Sequence, residues 1–193
     1  EKIKPNIVFT VGDRYETIST AISAAYMNIT VAHTMGGEVS GTIDESIRHA
    51  VTKLSHLHFV SNKDSMRRVV KLGENKKFVF NVGCPRIDEV KKILKKSNHI
   101  KAIKDLNKEG VGADINYKDE FVILSYHPVT TELEKNEIYI NKILKVLKNI
   151  KYKKIILWPN SDAGSEMISK AIRSYREKQL LKDTRFIKNV SIE

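Results

Sequence analysis

Residues 6–37 decide the fold: Asn6-Ile7-Val8-Phe9-Thr10-Val11-Gly12-Asp13-Arg14, a helical stretch, then Ile29-Thr30-Val31-Ala32-His33-Thr34-Met35-Gly36-Gly37. The first run is apolar and β-rich, reads as a buried strand, and stops at a glycine. Residues 18–27 carry helical spacing, and a second β-rich run ends on a glycine pair. A strand, a helix and a strand in so short a span predict one unit of a parallel sheet. Working outward, the pattern repeats. Helices are expected over 43–58, 63–72 and 87–96, with strands at 58–61 and 78–82. From 97 to 118 it degrades into a polar stretch punctuated by Gly110, Gly112, Asp114 and Asn116, the signature of a connection. A second alternation follows, with strands at 121–125, 154–158 and 185–187 and helices at 133–150 and 165–178. The expected fold is α/β, with two Rossmann-like parallel-sheet units and helices on both faces. They span residues 1–110 and 119–193, with a linker over 111–118.

The 193 residues carry a formal charge of +11, and 41% are hydrophobic, ordinary for a soluble globular chain. No apolar run approaches the roughly 18 residues that cross a bilayer, so no membrane partner is expected. The opening Glu1-Lys2-Ile3-Lys4-Pro5 has neither an initiating Met nor the apolar core of a secretion signal. A single cysteine, Cys84, rules out an internal disulfide and fits a reducing compartment; the cytoplasm is expected. The lysines lie mainly at helical spacing beside apolar residues, as solvated helix faces do. No aromatic residues interleave with them to stack bases, so nucleic acid is not expected as a partner. No His/Cys cluster has zinc spacing, and neither a metal nor a cofactor is expected.

Polar or turn-forming residues follow five strands: Asp13-Arg14, His33 to Glu38, Cys84-Pro85, His127-Pro128 and Asn160 to Ser165. Ligands of open parallel sheets bind beyond the strands' carboxyl ends, so this rim is a candidate site. Each group also has a plainer reading. Asp13 with Arg14 is either an acid/base carboxylate beside an anion clamp or a helix cap beside a surface arginine. Gly36-Gly37 allows close ligand approach or simply a turn. Thr42-Ile43-Asp44-Glu45 matches a capping box in which Glu45 reaches back to the cap N–H. Asp44, Arg48, Thr52 and His56 recur every four residues, a face suited either to proton transfer or to an Asp44–Arg48 ion pair. His127 stands at the first strand end of the second unit, either facing a cleft or merely packing. Asp162, Gly164 and Ser165 suit a helix start, whose free N–H groups favour phosphate; the Walker lysine and the dinucleotide glycine spacing are missing.

Taken together, Val11 to Arg14, His33 to Ala50, Thr52 to His56, Val82 to Pro85, His127 to Thr131 and Pro159 to Ser165 resemble the hydrolysing UDP-N-acetylglucosamine 2-epimerases. The resemblance implies a glycosyltransferase-B-like fold with the substrate between two domains. The expected chemistry is removal of the C2 proton as UDP leaves C1, giving 2-acetamidoglucal, and hydration with inversion at C2. The product would be N-acetylmannosamine for sialic-acid synthesis. Relatives act on other nucleotide sugars, including legionaminic-acid precursors. By position, Asp13, Asp44 and Glu45 would carry proton transfer, with Arg48 and Arg14 as cationic groups. His127 would lie near the diphosphate or leaving oxygen. His33 would bind substrate with His56 as a supporting member, and Asn160, Asn189 and Val190 would approach the nucleotide. Well-studied members carry a glutamate where this chain has Met35. Glu38 or another carboxylate then takes over, or the substrate differs, or the chain binds a nucleotide sugar without turning it over. The family's first strand with its phosphate loop and a later Gly-Asn-Ser-Ser segment have no counterpart here. The chain therefore reads as an interior piece with both domains incomplete, binding UDP poorly by itself and forming a homo-oligomer when full length.

Overall fold

The computed structural model describes residues 3–95, 106–116 and 118–190. The chain forms two compact units, Glu1–Lys92 and Ile93–Glu193. In the first, β1 (Ile7–Val11), β2 (Thr30–Thr34), β3 (Leu57–Val60) and β4 (Val79–Asn81) form a parallel sheet in sequence order. Helices α1 (Tyr15–Tyr26), α2 (Ile43–Leu54) and α3 (Lys63–Lys71) connect them, and α4 (Pro85–Lys95) follows β4. Strands added always on the same side, through crossovers of one hand, bring their helices to one face. Accordingly Val31 and Val8 pack with Ala21 and Ala24 of α1 and Val51 of α2, while Val60 and Val79 enclose Val69 of α3. In this unit α1 to α3 do not divide between the two faces as expected, because sequential strand order sends each of these crossovers to the same side. That other face leaves Ile7, Phe9 and Val11 exposed. Across it Phe9, Phe59 and Phe80 stack in a row, with ring centres 5.4 Å apart at each step.

The second unit holds β5 (Val111–Gly112), β6 (Phe121–Ser125), β7 (Lys153–Leu157) and β8 (Thr184–Ile187) in the order β5-β8-β7-β6. The last three strands are parallel and β5 is antiparallel to β8. Helices α5 (Asn136–Lys148) and α6 (Ser165–Glu177) cover one face. Ile140, Leu144 and Leu147 recur at helical spacing on α5 and meet Ile168 and Ile172 of α6 over Ile156 and Phe186.

The expected linker over 111–118 is replaced by an edge strand and a packed turn, and the polar stretch leading into it begins outside the described residues. Val111 and Gly112 pair with Phe186 and Arg185. Ile115 is buried against Ile155 and Ile187. Asn107 brackets the main chain of Ile115, accepting its N–H at 2.9 Å and donating to its carbonyl at 2.7 Å. Buried Arg185 donates to the carbonyls of Glu109, Gly112 and Asn107 and to the Asp114 carboxylate. Among the described residues no helix is long and apolar enough to cross a membrane.

Candidate active site

In the first unit every strand points its carboxyl end at the same rim. β1 ends at Gly12, whose φ of +72° turns the chain and delivers Asp13. Beneath that turn lies His33, fully buried on β2, with Nε2 2.8 Å from the Gly12 carbonyl and Nδ1 3.3 Å from the Thr52 hydroxyl. A carbonyl only accepts, so Nε2 carries the proton. Burial holds the ring's pKa down to about 4; the Gly12 carbonyl and Asp13 oppose that, while His58 and Arg48 add to it. His33 is therefore neutral near pH 7. The expectation that it meets substrate is corrected: its ring has no exposed surface, and it braces the turn that presents Asp13.

Arg48, one turn into α2 and almost fully buried, is the centre of the rim. One terminal nitrogen pairs with the Asp13 carboxylate, and the other donates to the Glu38 carbonyl at 2.7 Å. Both lie 3.4 Å from the Ser40 hydroxyl. The Glu38 side chain runs elsewhere, accepting from the Ser61 hydroxyl at 2.6 Å. Glu45 accepts the backbone N–H groups of Gly41 at 2.8 Å and Ser40 at 2.9 Å. Those two donors hold its carboxyl below the usual carboxylate range. The capping-box expectation is thereby corrected, since Glu45 reaches past Thr42 to the two residues before it. The loop from Glu38 to Thr42 is tied to α2 at both ends.

Other expected residues fall differently. Asp44 is exposed and accepts from the Thr42 hydroxyl at 3.1 Å, and Arg48 turns to Asp13 instead of to Asp44. Arg14 occupies the cap position of α1, pairs with Glu16 and lies over the Tyr15 ring. His56 is a correction. The helix ends at Leu54, and His56 sits beside the start of β2, its Nδ1 accepting the Val31 N–H at 3.1 Å. That is the end of the sheet away from the rim, about 10 Å along the strand. Its four-residue spacing from Thr52 has no helix to act on. Met35 closes β2 at φ +63°, an uncommon backbone state for a bulky side chain.

Gly37 is required on stereochemical grounds. Its φ is +76°, and a Cβ there would lie 2.3 Å from the Ser65 carbonyl oxygen. Gly37→Ala should therefore cost about 3 kcal/mol of unfolding free energy. Urea titration checks this, and a loss below about 1 kcal/mol would mean the loop relaxes freely.

In the second unit His127 follows β6, and its Nδ1 accepts the Asn160 backbone N–H at 3.1 Å. Nε2 faces the Ser125 hydroxyl at 3.3 Å. The Asn160 amide donates to Asp162, and Gly164, at φ +90°, starts α6. Buried Asn136 fixes this corner by bonding both the N–H and the carbonyl of Val129. His127, Asn160 and the amino end of α6 therefore share one corner, and the positive end of a helix suits an anion. Asn189 and Val190 follow β8 and line an open depression of about 510 Å³ with Glu109, Gly110 and Lys188.

The sequence reading missed Ser40, Ser61 and Asn62. Ser61-Asn62 leaves β3 as Asp13-Arg14 leaves β1, so the same strand-exit rule had a signal to find there. Among the described residues no group of three or more His, Cys, Asp or Glu could hold a metal.

Two Rossmann-like units in succession, with polar side chains at the strand exits, define an α/β chain of the glycosyltransferase-B type. The chain belongs to the UDP-N-acetylglucosamine 2-epimerase family, whose model matches residues 1–193. It is 35% identical over 190 residues to the UDP-N,N'-diacetylbacillosamine 2-epimerase (hydrolyzing) of Legionella pneumophila, covering 98% of this chain and 48% of that protein. It is 36% identical over 180 residues to the GDP/UDP-N,N'-diacetylbacillosamine 2-epimerase (hydrolyzing) of Campylobacter jejuni, covering 92% and 45%. The crystal structure of the Neisseria meningitidis UDP-GlcNAc 2-epimerase bound to UDP-GlcNAc superposes with a TM-score of 0.71 at 18% identity, covering 97% of this chain and 50% of that one. The chain thus spans about half the length of the curated relatives it matches.

Proposed function

We propose that the full-length protein is a hydrolysing 2-epimerase of a UDP-linked 2-acetamido sugar. The observation that carries this reading is one buried guanidinium that pairs with the Asp13 carboxylate and holds the main chain of Glu38 on the same rim. Epimerisation at C2 needs a group to take the proton from one face and a group to return one to the other. In this reading the C2–H electrons form the C1=C2 bond while the C1–O bond to UDP breaks, and UDP leaves with that electron pair. Water then adds its oxygen to C1 as C2 receives a proton on the opposite face. Asp13 and Glu38 serve these proton transfers, with Asp44 as an exposed reserve. Arg48 fixes both residues, and Glu45 holds the loop that carries Glu38. His127, with Asn160 and the amino end of α6, meets the diphosphate or the leaving oxygen. Arg14 adds a cation, and Asn189 and Val190 approach the nucleotide.

The sugar is read first as N,N'-diacetylbacillosamine. The names of the two relatives above support it, as does Met35, whose thioether gives the rim a different proton-transfer set from one carrying a carboxylate. The second reading is UDP-N-acetylglucosamine, giving N-acetylmannosamine for sialic-acid synthesis; the motif resemblance favours it. Incubating the full-length protein with each UDP-sugar in deuterated water tests both. UDP release with one deuterium at C2 of the freed, C2-inverted sugar is expected. Release without deuterium at C2 would mean plain hydrolysis and would end the epimerase reading.

A further inference from the structure

We infer that Ser61 is a positioning residue that aims the Glu38 carboxylate, with Asn62 locking Ser61 in place. This rests on the 2-epimerase reading above. A serine hydroxyl has one hydrogen to give, and Ser61 gives it to Glu38 Oε1 at 2.6 Å. What points that hydrogen is Asn62, whose amide donates to the Ser61 oxygen at 3.2 Å and so occupies the hydroxyl as acceptor. Asn62 is itself fixed. Its carbonyl oxygen accepts the Ser65 N–H at 2.8 Å as the cap of α3, so flipping the amide would sacrifice both bonds at once. The orientation of the hydroxyl is thus set by a helix cap, a rigid reference.

The other end of Glu38 is held from a different element. Its carbonyl accepts from Arg48 of α2, the same guanidinium that pairs with Asp13. The main chain is therefore held from α2 and the side chain from the turn that leads into α3, and only the direction of Oε2 remains to be used. With Oε1 engaged, Oε2 is the oxygen aimed at a reactant. Asp13 is presented on the neighbouring strand exit by the same Arg48. Ser61 touches no substrate in this arrangement; it acts through Glu38 alone. Both sequence neighbours that make the relay, Ser61 and Asn62, lie at the exit of β3, the fourth polar strand exit of this sheet beside those of β1, β2 and β4.

A double-mutant cycle on the full-length protein separates this role from simple bracing of the 36–41 loop. Ser61→Ala is expected to lower kcat about tenfold with KM within about twofold of wild type. Ser61→Thr, which keeps the hydroxyl, should stay within about twofold in both. Glu38→Gln should lose about 100-fold in kcat, and adding Ser61→Ala to it should cost nothing further. The side-chain amide introduced by Glu38→Gln can still accept from Ser61, so a serine that merely braces the loop would make the two losses multiply. Multiplying losses, or a folded Ser61→Thr protein as impaired as Ser61→Ala, overturns the role of Ser61 and leaves the epimerase reading standing. A folded wild type that turns over neither UDP-sugar removes both. Thermal midpoints close to wild type establish that each variant is folded.

Discussion

Arg48→Met in the full-length protein is expected to lower kcat about 10³-fold and to remove about 3 kcal/mol of stability. The guanidinium is the shared partner of three groups: the Asp13 carboxylate, the Glu38 carbonyl and the Ser40 hydroxyl. Asp13 is only 24% exposed and Arg48 7%, so water reaches the carboxylate poorly once its partner is gone. Asp13 then carries a charge in a poor solvent, and Glu38 loses the contact that fixes its main chain. Both residues proposed for proton transfer are disturbed by one substitution, which is why the expected effect exceeds that of losing either alone. Arg48→Lys isolates geometry from charge. A single ammonium cannot fork to a carboxylate on one side and a carbonyl on the other, so it should restore stability to within about 1 kcal/mol yet remain about 100-fold slow. Steady-state rates and urea unfolding on the same preparations check this. A lysine variant within about threefold of wild type would show that the fork does not position Asp13 and Glu38 together.

Which parts of this arrangement could be read from the sequence follows from what each signal encodes. The strand–helix alternation was legible because short apolar, β-rich runs such as Asn6 to Val11 and Phe121 to Ser125 alternate with stretches of helical spacing, the pattern of a parallel sheet. The rim was legible because strand exits are where that fold leaves backbone and side chains available. The Asp13–Arg48 pair was not, since it joins residues 35 apart and spacing ranks only local partners. Asp44, four residues from Arg48, was the nearer candidate and the wrong one for that guanidinium. His56 was misplaced for a related reason. Its helical phase with Thr52 is real in number, but Ser55 is extended, with ψ at 152°, and the helix has already ended. The expected linker failed on its glycines. Gly110 and Gly112 read as loop punctuation, yet a Cβ at either would lie 2.1 or 2.2 Å from a carbonyl oxygen of β8. Glycine needed for close strand approach and glycine needed for a turn look alike in a sequence.

Lowering the pH from 8 to 5 should remove about 2 kcal/mol of stability through His33 alone, rising to about 3 kcal/mol below pH 4. The sign follows from which state binds the proton more readily. Folded His33 has its pKa held down to about 4 by burial, against an ordinary value of 6.5, so the unfolded chain takes up the proton first. Stability is therefore fully present above pH 6.5 and falls as pH drops from there to about 4, where the folded ring itself becomes charged. His58, buried on β3, moves in the same direction: burial lowers its pKa, and Glu74, 3.3 Å from Nε2, opposes the shift. Carboxylates such as Glu45, held low by backbone donors, lose their contribution only below the ordinary carboxylate range, so the window from pH 6.5 to 5 belongs to the histidines. His33→Gln keeps an N–H for the Gly12 carbonyl and cannot titrate. Its unfolding free energy, followed by far-UV circular dichroism in urea, should change with pH by about 2 kcal/mol less than wild type between pH 8 and 5. Identical pH profiles for the two proteins would mean that water reaches the imidazole, and that the turn presenting Asp13 is open where the packing makes it closed.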